Sequence, residues 1–566
     1  MGCNRARGLA GVFLLVGCTG TVGDPREQGA EPGPPAGGPA ASGGSGGSVG
    51  GTGSGGSSAG AAHTPEVAGL RRLTVRQYAN SVRALFGPAI DVPTDLEPDT
   101  VLHGMAAIGA SRIALSARAT EQFEAAARSI AAQVVADTER REALVGCDPA
   151  TEASCTRGFV ERFGLRAWRR PLTSEEVARY TELAGVATEA LSDPWRGIEY
   201  AIAGLLQSPH FLYRVEIGAA DPSTPGLRRF DGYELASRLS FWLWNTLPDE
   251  PLLEAAASGE LGSTAGLVAQ ATRLLDDSRS EQGIETFFDE VLGLATLYDL
   301  PQLPDAFPQV SPTLGRAMRT QTLMTATQWT LSDADLRDLF TTRSTFVDAE
   351  LAALYGLEGV SGPEFVPVEL PADQPRVGLL GHASILASNS HPTSTSPTRR
   401  GKFVREVLLC QAVPPPPPNV VTSLPEDAGD GPRTMREKLR VHAEDPACAA
   451  CHASMDPIGL ALEHFDGIGA FRTTDADQPI DASGELDGVA FEDARGLAAA
   501  VAAHPELATC VARHAYRYAQ GHLEGKGEEA LVQALGQRFA SDGYRLRQLL
   551  LAIVSSEAFR IAADPQ

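Results

Sequence analysis

Three stretches of the chain open with the same four-residue grammar. In "LTVRQYANSVRALFG" Thr74 is followed three residues later by Gln77, in "PLTSEEVARYTELAGVA" Thr173 by Glu176, and in "FDGYELASRLSFWLWN" Asp231 by Glu234. A Ser, Thr or Asp side chain that accepts a backbone N–H, answered by a Glu or Gln three positions on, closes a helix N-terminus reciprocally. Each stretch therefore starts a helix. The apolar residues that follow, Tyr78, Val82, Leu85 and Phe86 in the first and Leu235, Leu239 and Trp242 in the third, recur at helical spacing and form a single stripe. Strand patterning is scarce. Its best case, "EFVPVEL" from Glu364 to Leu370, contains Pro367, which confines it to a sheet edge. At about 100–200 residues per domain, a chain of 566 residues is too long for one core. The expectation is a mainly α protein, several small helical domains in series.

Further elements agree. "SPTRRGKFVREVLLC" begins with Ser396 as a cap and Pro397 at the first helical position, and it ends at Cys410. "PPPPP" at Pro414 to Pro418 then makes a stiff polyproline II spacer. "YRLRQLLLAIVSSEAFR" near the C-terminus is another amphipathic helix, and "GHLEGKG" at Gly521 to Gly527 reads as a turn. Phe241, Trp242 and Trp244 sit at core spacing.

The N-terminus has a different character. "MGCNRARGLAGVFLLVGC" places Arg5 and Arg7 before an apolar run from Leu9 to Val16, the outline of a secretory signal. The run is far short of the roughly 20 residues of a membrane-spanning helix. "LVGC" at Leu15 to Cys18 resembles a bacterial lipobox, with Cys18 the acylated residue; ordinary signal cleavage is the alternative. Residues 19–63 turn to Gly, Ser, Ala and Pro, a composition that cannot offset its chain entropy and so forms a tether. The formal net charge of −24, with Lys and Arg scattered among acids, offers no basic stripe, so nucleic acid is excluded as an expected partner. The expected location is outside the cytoplasm, periplasmic or on the outer membrane or cell surface, with the membrane held through the lipid.

Export bears on the 8 cysteines. Cys3 leaves with the signal and Cys18 carries lipid. Under oxidising conditions Cys147 and Cys155, eight apart across "CDPATEASC", are expected to bridge locally, and Cys410 and Cys510 are then left to each other.

Two remain, Cys448 and Cys451 in "DPACAACHASMDPIG", with His452 directly after the second. Residues three apart lie one above the other on a helix, so both sulfurs present to one side and the imidazole follows them. C-x-x-C-H is the attachment pattern of haem c, in which two thioethers fix the macrocycle and the histidine ligates iron. Three competing readings stand beside it: a redox-active disulfide, a zinc site completed by His442 or Asp456, and chance. Met455 lies on the same helical side as His452 and is expected to pack rather than ligate from the opposite face. No nucleophile elbow, phosphate loop, zinc-protease helix or dinucleotide fingerprint stands out elsewhere.

The run "REKLRVHAEDPACAACHASMDPIGLALEHFDGIGAFR" resembles the cytochrome-like segment of a bacterial multi-domain lipoprotein family made of domains of unknown function, the 1587, 1595, 1592, 1588 and 1585 set. "RRLTVRQYANSVRALFG", "RAWRRPLT", "LQSPHFLYRVE", "FDGYELASRLSFWLWN", "TSPTRRGKFVREVLLC" and "ARHAYRYAQGHLEG" match its other blocks. The resemblance spans about Leu70 to Arg560. It implies an exported or lipid-anchored protein with one covalent haem c and a cytochrome-c-like helical segment. His442 falls in its pattern of a histidine preceding the motif and is the expected distal ligand, with His382 and His391 as weaker candidates. Arg400 or Arg472 could pair with haem propionates, although a plain ion pair is the commoner fate of an arginine. His464 stands where the family usually has Asn, so no ligand role is carried over to it.

The expected organisation is a signal at 1–18, a tether at 19–63, helical domains at 64–135, 145–218 and 225–358, the haem segment at 372–473 and a C-terminal helical domain at 480–562. The first expected function is electron transfer to an unidentified redox protein. Whether the chain is also an enzyme stays open. The alternatives are a haem-dependent oxidoreductase or peroxidase with an open distal position, and a surface binding or assembly protein stapled by haem or zinc.

Overall fold

All three capping boxes close in the computed structural model. Gln77 N–H donates to Thr74 Oγ1 at 3.1 Å while Thr74 N–H donates to Gln77 Oε1 at 3.2 Å, and the helix Val75–Phe86 follows. The same reciprocal pair opens Ser174–Leu191 at Thr173 and Gly232–Leu243 at Asp231. A fourth box, Thr434 with Glu437, starts the helix Met435–His442. The structure describes residues 65–112, 114–415, 433–444 and 446–564. The signal, Cys18, the tether and the end of the polyproline run lie outside the described residues.

Among the described residues the fold is mainly α, and the strands are short pieces of two to four residues. Gly69–Arg72 pairs antiparallel with Tyr213–Glu216, placing Arg71 opposite Arg214. Leu227–Arg229 pairs with Ile561–Ala563, so the end of the chain returns to its middle. Val366–Glu369 pairs only with Ser344–Val347 in a two-stranded sheet, the edge position that Pro367 requires. No helix of the described residues is long and apolar enough to cross a membrane.

Among the described residues two apolar interiors form. The first is built on the helices Val75–Phe86, Ala117–Ala136, Cys155–Trp168 and Pro194–Gln207, closed by Phe241 and Leu247. The second runs without a break from Phe230 to Ala562 and also takes in Met105 and Ile108. The segments 225–358, 372–473 and 480–562, consecutive in sequence, therefore share one interior. Trp242 and Trp244 belong to it, and Trp244 Nε1 donates to Leu274 O at 2.7 Å.

Cys147 is bonded to Cys155 and Cys410 to Cys510, the second bridge tying residues 100 apart. The helix expected from Ser396 through Cys410 is regular only over Pro397–Phe403 and widens to a π-helical turn over Val404–Leu408. The wider turn carries Arg405, whose Nε donates to Ser454 O at 3.0 Å.

Candidate functional site

The helix Pro446–Leu460 carries Cys448, Cys451 and His452 and is seated by close backbone approach. A Cβ on Gly401 would lie 1.9 Å from Met455 O, and one on Gly459 would lie 1.8 Å from Pro397 O. Glycines at both crossing points let the helix lie directly against Pro397–Phe403. On another side Gly484 comes as close to Pro457 O, at 2.0 Å from its would-be Cβ. Pro457 stands inside the helix and lacks the N–H that would meet Ala453 O.

The geometry around His452 is ordered from beneath. Its Nδ1 lies 2.8 Å from Asp456 Oδ2, one helical turn on, and Asp456 Oδ1 accepts from Thr398 Oγ1, also at 2.8 Å. Asp456 is buried, so the carboxylate is held between helix and imidazole. A carboxylate on Nδ1 fixes the proton there and leaves Nε2 as the nitrogen able to bind a metal. Cys448 and Cys451 are free thiols and part-exposed, whereas Cys147, Cys155, Cys410 and Cys510 are consumed in disulfides.

This donor set fits a covalently attached haem: two available thiols on one helical side, followed by an imidazole already oriented at its far nitrogen. It fits a single tetrahedral ion less well. Zinc at 2.0–2.3 Å from each ligand needs its donors within about 4 Å of one another. Among the described residues, only Cys410, Cys510 and His514 place all their donor atoms within 4.8 Å of one another. Those two sulfurs are already bonded to each other, and His514 Nε2 lies 2.9 Å from Val407 O. Burial holds the His514 imidazole down at about 4, so it is neutral and donates to that carbonyl.

His442 is brought to the site. Its ring centre lies 4.7 Å from that of His452, edge-on at 68°. Two imidazoles on opposite sides of one metal, each bonded at about 2.0–2.1 Å, would have ring centres about 6 Å apart. His442 as placed thus stands closer than trans ligation requires, and the short helix that bears it would have to move outward.

The other expected residues resolve differently. Met455 is buried against Pro397–Phe403 and packs. His382 is wholly buried among Thr322 and Thr345, at 2.9 and 3.3 Å, and burial, then Arg376, holds it at about 3. It is a neutral core residue, which corrects its place among the ligand candidates. His391 sits in a turn closed by its N–H on Ser394 O. Arg400 is also corrected: it is interior and donates to the carbonyls of Leu462, Phe465 and Asp466 at 2.6–2.9 Å, so it is no surface partner for a propionate. Arg472 pairs with Glu463 at 2.8 Å and Asp475 at 3.2 Å. His464 stacks along Phe471.

Sequence reading offered Asp456 only as a possible zinc ligand, not as the partner that orients His452, and assigned no role to Thr398 or Arg405. The four-residue spacing of His452 and Asp456 was the available signal for the first, as was the Thr434–Glu437 spacing for the helix bearing His442. Thr398 and Arg405 meet the motif only through tertiary packing.

Five family models match in order along the chain, each described as a protein of unknown function: DUF1587 over residues 71–136, DUF1595 over 155–216, DUF1592 over 230–357, DUF1588 over 376–475 and DUF1585 over 487–559. The Cys448–His452 motif falls within the fourth. No curated protein and no solved structure matches the chain. With all five in series, the chain belongs to the multi-domain family assembled from these domains of unknown function.

Proposed function

We propose that the chain is an exported, membrane-anchored c-type haem protein whose function is electron transfer, with one haem c joined to Cys448 and Cys451 and its iron ligated by His452. The observation that carries this reading is the pairing state of the motif: two free thiols one helical turn apart, in a chain whose four other described cysteines are bridged, beside an imidazole with Nδ1 on Asp456. When bound, the haem supplies a one-electron couple. The chain's own residues supply the mounting. Asp456 and Thr398 fix the imidazole's tautomer and direction. Gly401 and Gly459 let the helix rest on its neighbour without intervening side chains. Acylated Cys18 and the tether at 19–63, both outside the described residues, would hold the folded part near a membrane.

The test is intact mass and a reduced-minus-oxidised spectrum of protein exported alongside haem c maturation machinery. One added macrocycle, lost in C448S/C451S, is expected; its absence from the wild type refutes the reading. A second reading, a haem-dependent oxidoreductase or peroxidase with an open sixth position, has one observation in its favour, the 4.7 Å approach of His442 to His452. Carbon monoxide separates the two: binding to the reduced protein supports the open site, and refusal that H442A relieves supports His442 as sixth ligand.

A further inference from the structure

The strand that begins the described chain and the strand that ends it meet at a cavity of about 210 Å³, lined among others by Arg71, Phe230, Arg238, Gln520, His522 and Ile561. That is room for several waters or a small molecule of comparable size. The wall is unusual in its charge. Arg71 Nε and Arg214 Nη2 lie 3.2 and 2.9 Å from the Glu216 carboxylate, and Arg238 Nη1 makes a third contact with it. Glu216 and Arg238 are 2% and 1% exposed. One buried carboxylate facing three guanidinium groups leaves a local surplus of positive charge, in a chain whose overall charge is −24.

The nearby acids reduce that excess without removing it, because Glu528, which also lines the cavity, offsets one of the two surplus charges. Glu528 is engaged by Tyr516 Oη at 2.6 Å and His522 Nε2 at 3.1 Å, and Glu66 pairs with Arg112 at 2.9 Å. Arg238 Nε and Arg71 Nη1 are buried with no hydrogen-bond partner. A buried donor of this kind costs free energy until an acceptor arrives. Burial, and after it Arg238 and Arg214, hold the Arg71 guanidinium down at about 9 against the opposing pull of Glu216. An added anion would relieve that.

We propose that this cavity binds a small organic carboxylate, its charged end on Arg71 and Arg238 and its apolar end against Phe230 and Ile561. The planar fork of a guanidinium matches a carboxylate. Apolar lining beside the arginines, Ile561 and the Phe230 ring with Arg238 5.1 Å over it, distinguishes an organic acid from inorganic phosphate, which has no apolar end to bury. The site lies apart from Cys448–His452 and stands or falls independently of the haem reading.

The experiment is isothermal titration of the full chain with acetate, propionate and butyrate at fixed ionic strength, and with inorganic phosphate for comparison. Saturable binding is expected to tighten about fourfold with each added methylene, so that butyrate exceeds acetate by roughly fifteenfold. R71Q should weaken butyrate by at least about tenfold, with R71K between R71Q and the wild type. Phosphate binding as tightly as butyrate, or no saturable binding by any carboxylate, overturns the proposal. Equal butyrate affinity in a folded R71Q overturns it too, and should R71Q fail to fold, the wild-type series decides alone.

Discussion

Replacing Gly401 or Gly459 with alanine sets two effects of opposite sign against each other. In a helix interior, alanine is favoured over glycine by about 0.5–1 kcal/mol, because the unfolded chain loses less freedom on folding. Gly185, exposed in the helix Ser174–Leu191 with nothing within 4 Å of a would-be Cβ, isolates that gain, and G185A should stabilise by about this amount. At Gly401 the new methyl meets Met455 O at 1.9 Å, where ordinary contact starts near 3.4 Å, so the helices must part by about 1.5 Å. Gly459 demands slightly more, from 1.8 Å. Overpacking of this kind costs about 1–3 kcal/mol, and the parted helices also lose contacts along their length. Both variants should therefore be destabilised by about 1–3 kcal/mol despite the propensity gain. Denaturant titration reads the sign, and hydrogen exchange locates it: protection should fall first in the amides of Pro446–Leu460. If G401A and G459A gain stability as G185A does, the backbone crossing that seats the cysteine motif is wrong.

The two disulfides should contribute unequally. Chain entropy assigns about 4.7 kcal/mol to the Cys410–Cys510 bridge, which spans 100 residues, and about 2.5 kcal/mol to Cys147–Cys155, which spans 8. Paired serine variants, compared by urea titration, should keep that order, and a larger loss from C147S/C155S would contradict it. Acid should act through Glu216. Burial works to raise its carboxyl, but Arg238, Arg71 and Arg214 together outweigh burial and bring it to about 2. A depressed carboxyl contributes fully above its unfolded value near 4.5 and loses that contribution as pH falls toward 2. The loss is on the order of 3 kcal/mol. E216Q should be less stable at neutral pH and lack that share of the acid dependence; identical stability–pH curves for E216Q and wild type would exclude Glu216 as the source.

What the sequence disclosed was local. A capping box needs four residues and a helical stripe needs a dozen, so Thr74, Thr173 and Asp231 announced their helices without any tertiary information. C-x-x-C-H was legible for the same reason, and the bridge from Cys410 to Cys510 emerged by elimination once the motif cysteines and the near pair were set aside. Other features depend on neighbours that no window contains. A three-residue strand such as Ile561–Ala563 has no periodicity to detect, and only its partner Leu227–Arg229 makes it a strand. The merging of three consecutive segments into one interior likewise depends on packing between distant helices. Arg400 and His382 were misplaced because sequence gives a residue's chemistry but not its depth. At the surface an arginine is a candidate anion partner; in the interior its five donors make it a hub for carbonyls.

That hub bears on what the motif helix can do. Beyond Leu460 the chain turns through 461–470, and Arg400 catches the carbonyls of Leu462, Phe465 and Asp466 while Arg376 catches those of Gly381 and Gly469. Arg376 is itself sandwiched between the rings of Tyr355 and Phe465, at 3.8 and 4.5 Å. With the glycine crossings beneath, the C-terminal half of the motif helix is tied to the large interior by backbone, guanidinium and aromatic contacts. The N-terminal half, with Cys448, Cys451 and His452, is part-exposed and faces the two-turn helix Met435–His442, which has one buried apolar residue, Leu439. Stability is accordingly distributed along the helix, highest at Asp456 and beyond, lowest toward His442. A group attached at the cysteines would be held in fixed register with the core through His452 and Asp456. Any rearrangement needed to admit it would fall on the segment bearing His442, the one part of the site with little packing to lose.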